Sequence, residues 1–316
     1  MTTNRMFPLY LHDTDHSCLS TRLGEKEWLW HFRYGHLFFG RLKTLQQKNM
    51  VTGLPQITAP SKVCEECVVR KQHCNQFPQG KSWRAKVVLE LVHSDICGPI
   101  TPCSNGGKRY ILTFIDDFSR KSWVYFLREK SEAFLAFKNY KVLVEKEVSS
   151  PIKILCTDCG GEYNSHEFAS FCETHGIKRQ LTAAYTSQQN GVCERKNRTI
   201  LNMVRSLLIR SCIPKNFWPE AVNWSIHILN RSPTLAIKNM TPEEAWSGRK
   251  PVVDHFRIFG CVAYAHIPDQ KRKKLDDKGE KCIFIGVSDQ SKVYKLYNPN
   301  TKKILISRDV FYEDQI

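Results

Sequence analysis

From Val87 onward the spacing of apolar residues switches repeatedly between strand and helix periods, and this restricts the fold more than any other feature of the chain. "LELVHSD" alternates apolar with polar. "YILTFID" and "WVYFL" are continuous apolar runs joined by the polar "DFSRKS", as expected of a hairpin buried on both faces. From Ser131 to Val148, Phe134, Phe137, Tyr140 and Val144 share one helical side while Lys138, Lys141 and Glu145 face outward. "IKILCT" reads as a strand. Phe168, Phe171, Cys172 and His175 then recur at helical spacing, with Gly176 as a helix stop. A short strand "IKRQL" follows, then a helix that opens in "QQNGVCERKNRTIL" and another over "FWPEAVNWSIHILNR". Strands alternating with helices predict an α/β core. After it, "CVAYAHI", "CIFIGV", "VYKLYN" and "KILISRDV" predict a small β module. The expected division is a lead-in over 1–24, a helical segment with paired cysteines over 25–74 and a linker over 75–86. The core follows over 87–250 and the β module over 251–316.

Charge narrows the partner. Lys and Arg outnumber Asp and Glu by 47 to 31, a net charge of +16. It divides as +6, +5 and +5 over residues 1–85, 86–248 and 249–316, so it suits an extended contact with a polyanion better than a local patch. The 13 cysteines are odd in number, and "MTTNRMFPLYLHDTDHS" lacks the apolar core of a secretory leader. No run approaches the ~18 apolar residues of a membrane span. Reduced thiols, metal-binding cysteine pairs and no membrane contact are expected. The strand-like run at the very end suggests a piece of something longer.

Two constellations carry chemistry. Asp95 ends the first strand of the core and Asp158 the fourth, where active-site residues of open α/β sheets collect. Glu194 is the only carboxylate in "YTSQQNGVCERKNRTIL". At 100° per residue it lies about 20° from Leu201 and about 40° from Leu208, leucines of the buried stripe, so it points toward the sheet from the first turn. Arg198 and Arg205 lie about 40° and about 20° away, so bases flank the same face. Three carboxylates can hold two magnesium ions about 3.5–4 Å apart, an arrangement that clamps attacking and leaving oxygens in phosphoryl transfer. The second set is His31 and His36 in "WHFRYGH" with Cys64 and Cys67 in "CEEC", two close pairs suited to tetrahedral zinc. His73 and Cys74 form a weaker rival pair, since adjacent residues rarely serve one tetrahedral ion.

These residues carry a resemblance. Asp95, Asp158 and Glu194, the last two separated by 35 residues, resemble the D…D-x35-E triad of the retroviral-type integrase core. "LELVHSDICGPI", "TDCGGEY", "QQNGVCERKNRTI" and "IFGCVAYAHIPD" are similar to the Pol polyproteins of copia-type LTR retrotransposons, plant elements in particular. The resemblance implies an RNase H-like core with a mixed five-stranded sheet and flanking helices. Ahead of it would stand an HHCC zinc region, with the triad loaded with Mg2+ or Mn2+. It also implies DNA contacts at Gln188, Asn190, Arg195, Lys196 and Arg198, and insertion of element DNA into target DNA. A homo-oligomer on DNA, origin in a polyprotein with protease and reverse transcriptase, and action in the nucleus after a cytoplasmic virus-like-particle stage follow from the same likeness. Cys156 and Cys159 stand where the family usually has arginines. Two other readings stay open: a silent nucleic-acid-binding remnant, and a ribonuclease H with a fourth carboxylate from Glu90, Asp116 or Asp117.

Overall fold

The computed structural model describes residues 26–70, 83–158, 160–181, 191–211, 213–288 and 293–313. Three strands open the core, β1 (Val92–Cys97), β2 (Tyr110–Asp116) and β3 (Ser122–Leu127), as an antiparallel meander. Helix α4 (Ala133–Val148) then crosses over to β4 (Ile154–Thr157), which runs parallel to β1. Helix α5 (His166–Thr174) leads to β5 (Lys178–Leu181), parallel to β4. The sheet order is β3-β2-β1-β4-β5, so the expected mixed five-stranded sheet is present. Gly176 ends α5 in the left-handed region at φ 66°, with Ile177 N–H bonded to Cys172 C=O and Gly176 N–H to Glu173 C=O.

The continuous apolar run of β2 is buried because both faces are covered. Leu112 and Phe114 meet Phe137 and Tyr140 of α4 and Phe168 of α5 on one side. Ile111 faces the other way, toward Ile200 and Met203 of α6 (Gly191–Ser211) and Trp224 of α7 (Trp218–Asn230). Helix α6, about 30 Å long at 1.5 Å per residue, is the beam on which the molecule is assembled.

Helices α1 (Lys26–Arg33), α2 (Phe39–Gln47) and α3 (Glu65–Arg70) form the N-terminal segment. Trp30, Tyr34, Leu42 and Leu45 from this segment share one hydrophobic cluster with Met203, Trp224 and Phe256. The expected small segment is therefore not a core of its own: its apolar side rests on α6 and α7.

After the short α8 (Pro242–Ser247), strands β6 (Val262–His266), β7 (Gly279–Val287), β8 (Tyr294–Asn298), β9 (Lys303–Ser307) and β10 (Val310–Tyr312) form an antiparallel sheet ordered β10-β6-β7-β8-β9. β9 and β10 are opposite edges of this sheet, yet only Arg308 and Asp309 join them. Edges of a flat five-stranded sheet stand about 19 Å apart, beyond the reach of so short a link, so the sheet must curl toward a barrel. It is fastened to α7 by Lys295 Nζ at 2.9 and 3.0 Å from the Glu220 carboxylate. Gly260 lets the lead into β6 pass against the end of α6, because a Cβ there would overlap Ser211.

Candidate functional site: a carboxylate cleft and a His/Cys cluster

Parallel pairing sets Val92 opposite Leu155 and His93 opposite Cys156, and two further steps along both strands bring Asp95 level with Asp158. β1 ends because "CGP" follows, and β4 ends in a turn where Asp158 Oδ1 accepts from Gly160 N–H at 3.2 Å. From above, the first turn of α6 brings Glu194 to the same end of the sheet. A cleft of about 450 Å³ is lined by Asp95, Cys97, Glu194, Asn197, Arg198 and Arg205, among others. Asp95 is half-buried and its carboxyl is pushed up to about 6, first by burial, then by the Asp158 charge, with Glu194 adding to it. Adding a proton to Asp95 relieves repulsion that a bound cation would relieve instead.

Asn197, which the sequence pattern does not single out, is held at both ends of its side-chain amide. Its Nδ2 donates to Asp95 Oδ2 at 2.8 Å, while its Oδ1 accepts from Thr113 Oγ1 at 2.7 Å. Thr113 is the register partner of Asp95 on β2. The available signal was spacing: Asn197 lies three residues after Glu194, on the same side of a helix.

Several expectations shift in detail. The buried stripe of α6 is Cys193, Asn197, Ile200, Met203, Val204, Leu207 and Ser211. Leu201 and Leu208 only flank it, so Glu194 is exposed on the rim of the cleft instead of pointing into the sheet. Arg198 lies beside it in the cleft, and Arg195 is exposed. Lys196 lies about 200° around the helix from Glu194. It is half-buried, and its amine is pushed down to about 8 by burial and by Arg120, with Arg41 acting in the same direction. Gln188, Asn190, Cys159, His73 and Cys74 lie outside the described residues.

None of Glu90, Asp116 and Asp117 lines this cleft. Asp116 pairs in register with Val92, three residues or about 10 Å along the ladder from Asp95. It accepts from Leu89 N–H, Ser119 N–H and Ser119 Oγ, which stabilise a turn. Asp117 holds Ala85 N–H, His93 and Arg120, and Glu90 accepts from Lys86 N–H. Cys156 also stays out of the cleft, buried with Ala85 and Leu91.

The second constellation closes on itself. The ligand atoms of His31, His36, Cys64 and Cys67 all lie within 4.8 Å of one another, the one such group of three or more among the described residues. His36 Nδ1 is 3.2 Å from Cys64 Sγ, and Cys67 Sγ is 3.6 Å from His31 Nε2 and 3.7 Å from His36 Nδ1. A tetrahedral zinc with ordinary bond lengths has nitrogen–sulfur edges of about 3.6 Å, so the donors fit that ion. His31 Nδ1 lies 2.7 Å from Leu37 C=O, which orients Nε2 toward the cluster. The Cys64 thiol is held well above its ordinary range, first by its hydrogen bond with Cys67 and then by burial.

Comparison with known proteins agrees with this layout. Residues 5–72 match the GAG-pre-integrase domain, residues 88–187 the integrase core domain and residues 261–316 the retroviral polymerase SH3-like domain. The integrase core match contains Asp95 and Asp158 and stops before Glu194. The chain is 43% identical over 286 residues to a retrovirus-related Pol polyprotein from transposon TNT 1-94 of Nicotiana tabacum. It is 30% identical over 289 residues to that from transposon RE2 of Arabidopsis thaliana. Each alignment covers 90% of this chain but only 21% and 19% of those proteins, so the chain spans about a fifth of their length. Among solved structures, the magnesium-bound catalytic core domain of HTLV-2 integrase is similar at 22% identity and TM-score 0.40, covering 51% of this chain and 99% of that one. A simian T-cell lymphotropic virus intasome is similar at 18% identity and TM-score 0.46, covering 78% and 87%.

Proposed function

We propose that this chain, an integrase core domain between a GAG-pre-integrase domain and an SH3-like domain, inserts element DNA into target DNA by phosphoryl transfer. The observation that carries the reading is the meeting of Asp95 on β1, Asp158 just past β4 and Glu194 on α6 at one end of the sheet. There the Asp95 carboxyl is pushed up to about 6, by burial first and then by the Asp158 and Glu194 charges. Hard oxygen donors in an open cleft suit Mg2+ or Mn2+. When bound, the ions supply activation of the attacking hydroxyl and neutralise charge on the leaving oxygen. The chain's own residues do the rest. Asn197 occupies Asp95 Oδ2 and so fixes the carboxylate's orientation. Arg198 and Arg205 offer phosphate contacts beside the acids. In the joining step the element's 3′-oxygen forms a bond to phosphorus, the target's phosphorus–oxygen bond breaks, and the displaced oxygen leaves as a 3′-hydroxyl.

The His/Cys cluster is assigned to structural zinc, with His31, His36, Cys64 and Cys67 as ligands. The same reading makes element-end and target DNA the substrates and a homo-oligomer on DNA the working form. It places the chain within a polyprotein that also carries protease and reverse transcriptase, and its action in the nucleus after a cytoplasmic particle stage. In support, the relatives are Pol polyproteins and the net charge suits a polyanion. The test is joining of labelled, pre-cut DNA ends to a target duplex in Mg2+ and in Mn2+. Joined product is expected. A zinc-loaded, DNA-binding chain that never joins ends in either metal would make this a silent binding module.

A further inference from the structure

Among the described residues no strand pairs with the far side of β9, although the curl of the sheet brings β10 near its Ser307 end. β9 pairs with β8 from Lys303 opposite Asn298 to Ser307 opposite Tyr294, and it ends the sheet order. On its far side, alternate residues direct peptide N–H and C=O groups away from the sheet. Proteins commonly blunt such an edge with proline, a bulge, an inward-pointing charge or lysines. Here the only such device is the bases at the two ends of β9, which leave its middle uncovered. "KILIS" has no proline, and the register irregularity of this sheet lies between β7 and β8, at Phe284 and Gly286. Ile304 and Ile306 are instead 45% and 58% exposed on alternate positions of the edge. Lys302, Lys303 and Arg308 flank them, all exposed, and their side chains make no hydrogen bond or ion pair among the described residues.

Charge decides the occupant. A second copy laid along β9 would set these three bases against their own kind, and like charges opposite one another oppose pairing. A nucleic-acid backbone would match the bases but leave both isoleucines against phosphates and water. We propose that the free edge of β9 docks an extended acidic, aliphatic segment of a partner protein. The segment adds as a further strand, its aliphatic side chains over Ile304 and Ile306 and its carboxylates beside Lys302, Lys303 and Arg308. Main-chain hydrogen bonds supply affinity in this mode, and alternate side chains supply selectivity.

The probe is a labelled peptide of alternating Glu and Val, titrated onto the full chain beside an alternating Lys and Val peptide of the same length and a DNA duplex. The acidic peptide should bind about tenfold or more tighter than the basic one, the sum of a few exposed ion pairs. Amide hydrogen exchange should slow over 303–307. The triple variant Lys302→Glu, Lys303→Glu, Arg308→Glu should reverse the peptide preference, with the thermal midpoint unchanged. Ile304→Thr with Ile306→Thr, which keeps strand propensity, should weaken the peptide without unfolding the module. Equal affinity for both peptides overturns the proposal. So does protection of 303–307 by DNA, or by raising protein concentration alone.

Discussion

The His/Cys cluster and the carboxylate cleft are built in opposite ways. The cluster takes its donors as two short-range pairs, buries three of the four, and closes them to within 4.8 Å. The acidic set comes from β1, the turn after β4 and the first turn of α6, leaves Glu194 exposed, and does not close to that distance among the described residues. Soft donors in a closed set leave no ligand position free, which suits an ion that only holds structure. Hard donors in an open set leave room for phosphate and water, as chemistry on DNA requires. One helix joins the two. Glu194 lies in the first turn of α6, and Arg210 in its last turn stacks over Phe32, beside the cluster, at 3.6 Å from the ring centroid.

The largest expected effect is loss of the closed site. Structural zinc contributes on the order of 10–16 kcal/mol in small zinc domains. Because α1 and α2 share their core with α6 and α7, Cys64→Ser should lower the unfolding midpoint of the whole chain rather than create a small separate transition. Calorimetry together with zinc analysis checks this, with one zinc per chain expected for the parent. An early transition confined to the N-terminal segment would show the two regions to be independent after all.

Glu194→Gln should break only the open site. Removing one electrostatic stabiliser typically costs about 10²–10³ in rate, and a metal ligand should cost at least that. Since Glu194 is exposed, zinc content and thermal midpoint should not change. DNA binding without metal should hold or rise slightly, because a carboxylate among bases opposes phosphate. Joining as fast as the parent would reduce Glu194 to a helix-start residue.

Much of this contrast was legible in the sequence, for physical reasons. The two-sided burial of "YILTFID" announces a strand covered on both faces, and C-x2-C with a histidine pair announces its own geometry. What was missed concerns α6. Its stripe contains Asn197 and Ser211, polar residues that carry no apolar periodicity, so the sequence pattern points to Leu201 and Leu208 instead. The packing of the N-terminal segment onto α6 and α7 was also invisible, because periodicity shows that a face is apolar but not what covers it. The same blind spot hid Asn197, whose role depends on Thr113 and Asp95, distant in sequence.

Titration sharpens the comparison further. Asp95 moves from an ordinary 3.8 to about 6 on folding, so folding disfavours its charged form. The metal-free fold should therefore lose stability as pH rises from about 4 to about 6, with no further loss from this group above that. Magnesium binds the ionised carboxylate, so the rise in thermal midpoint that it confers should be larger at pH 7 than at pH 5. Asn197→Ala removes a hydrogen bond that lowers the Asp95 carboxyl, and should push the acid limb of the joining profile to higher pH. A hydrogen bond to a charged group contributes about 1.5–3 kcal/mol, so the joining rate should fall by about ten- to a hundredfold. A purely structural Asn197 would change the rate and leave the pH limb where it was.

The smallest effects separate the two sides of α6. Arg198 and Arg205 line the cleft, whereas Lys196 faces away toward Arg120 and Arg41, with its amine pushed down to about 8. Each phosphate contact contributes roughly one to the slope of log affinity against log salt. Arg198→Gln and Arg205→Gln should each reduce that slope by about one and weaken binding evenly across sequences. Lys196→Gln should leave the slope intact at pH 7. The Lys196 amine lies on the side of α6 away from the cleft, beside Arg120 and Arg41; a phosphate seated there would meet all three bases, so any real contact would change the slope strongly. A drop of about one or more for Lys196→Gln would place DNA on the far side of α6 and make that helix a base-lined ridge gripped from both sides.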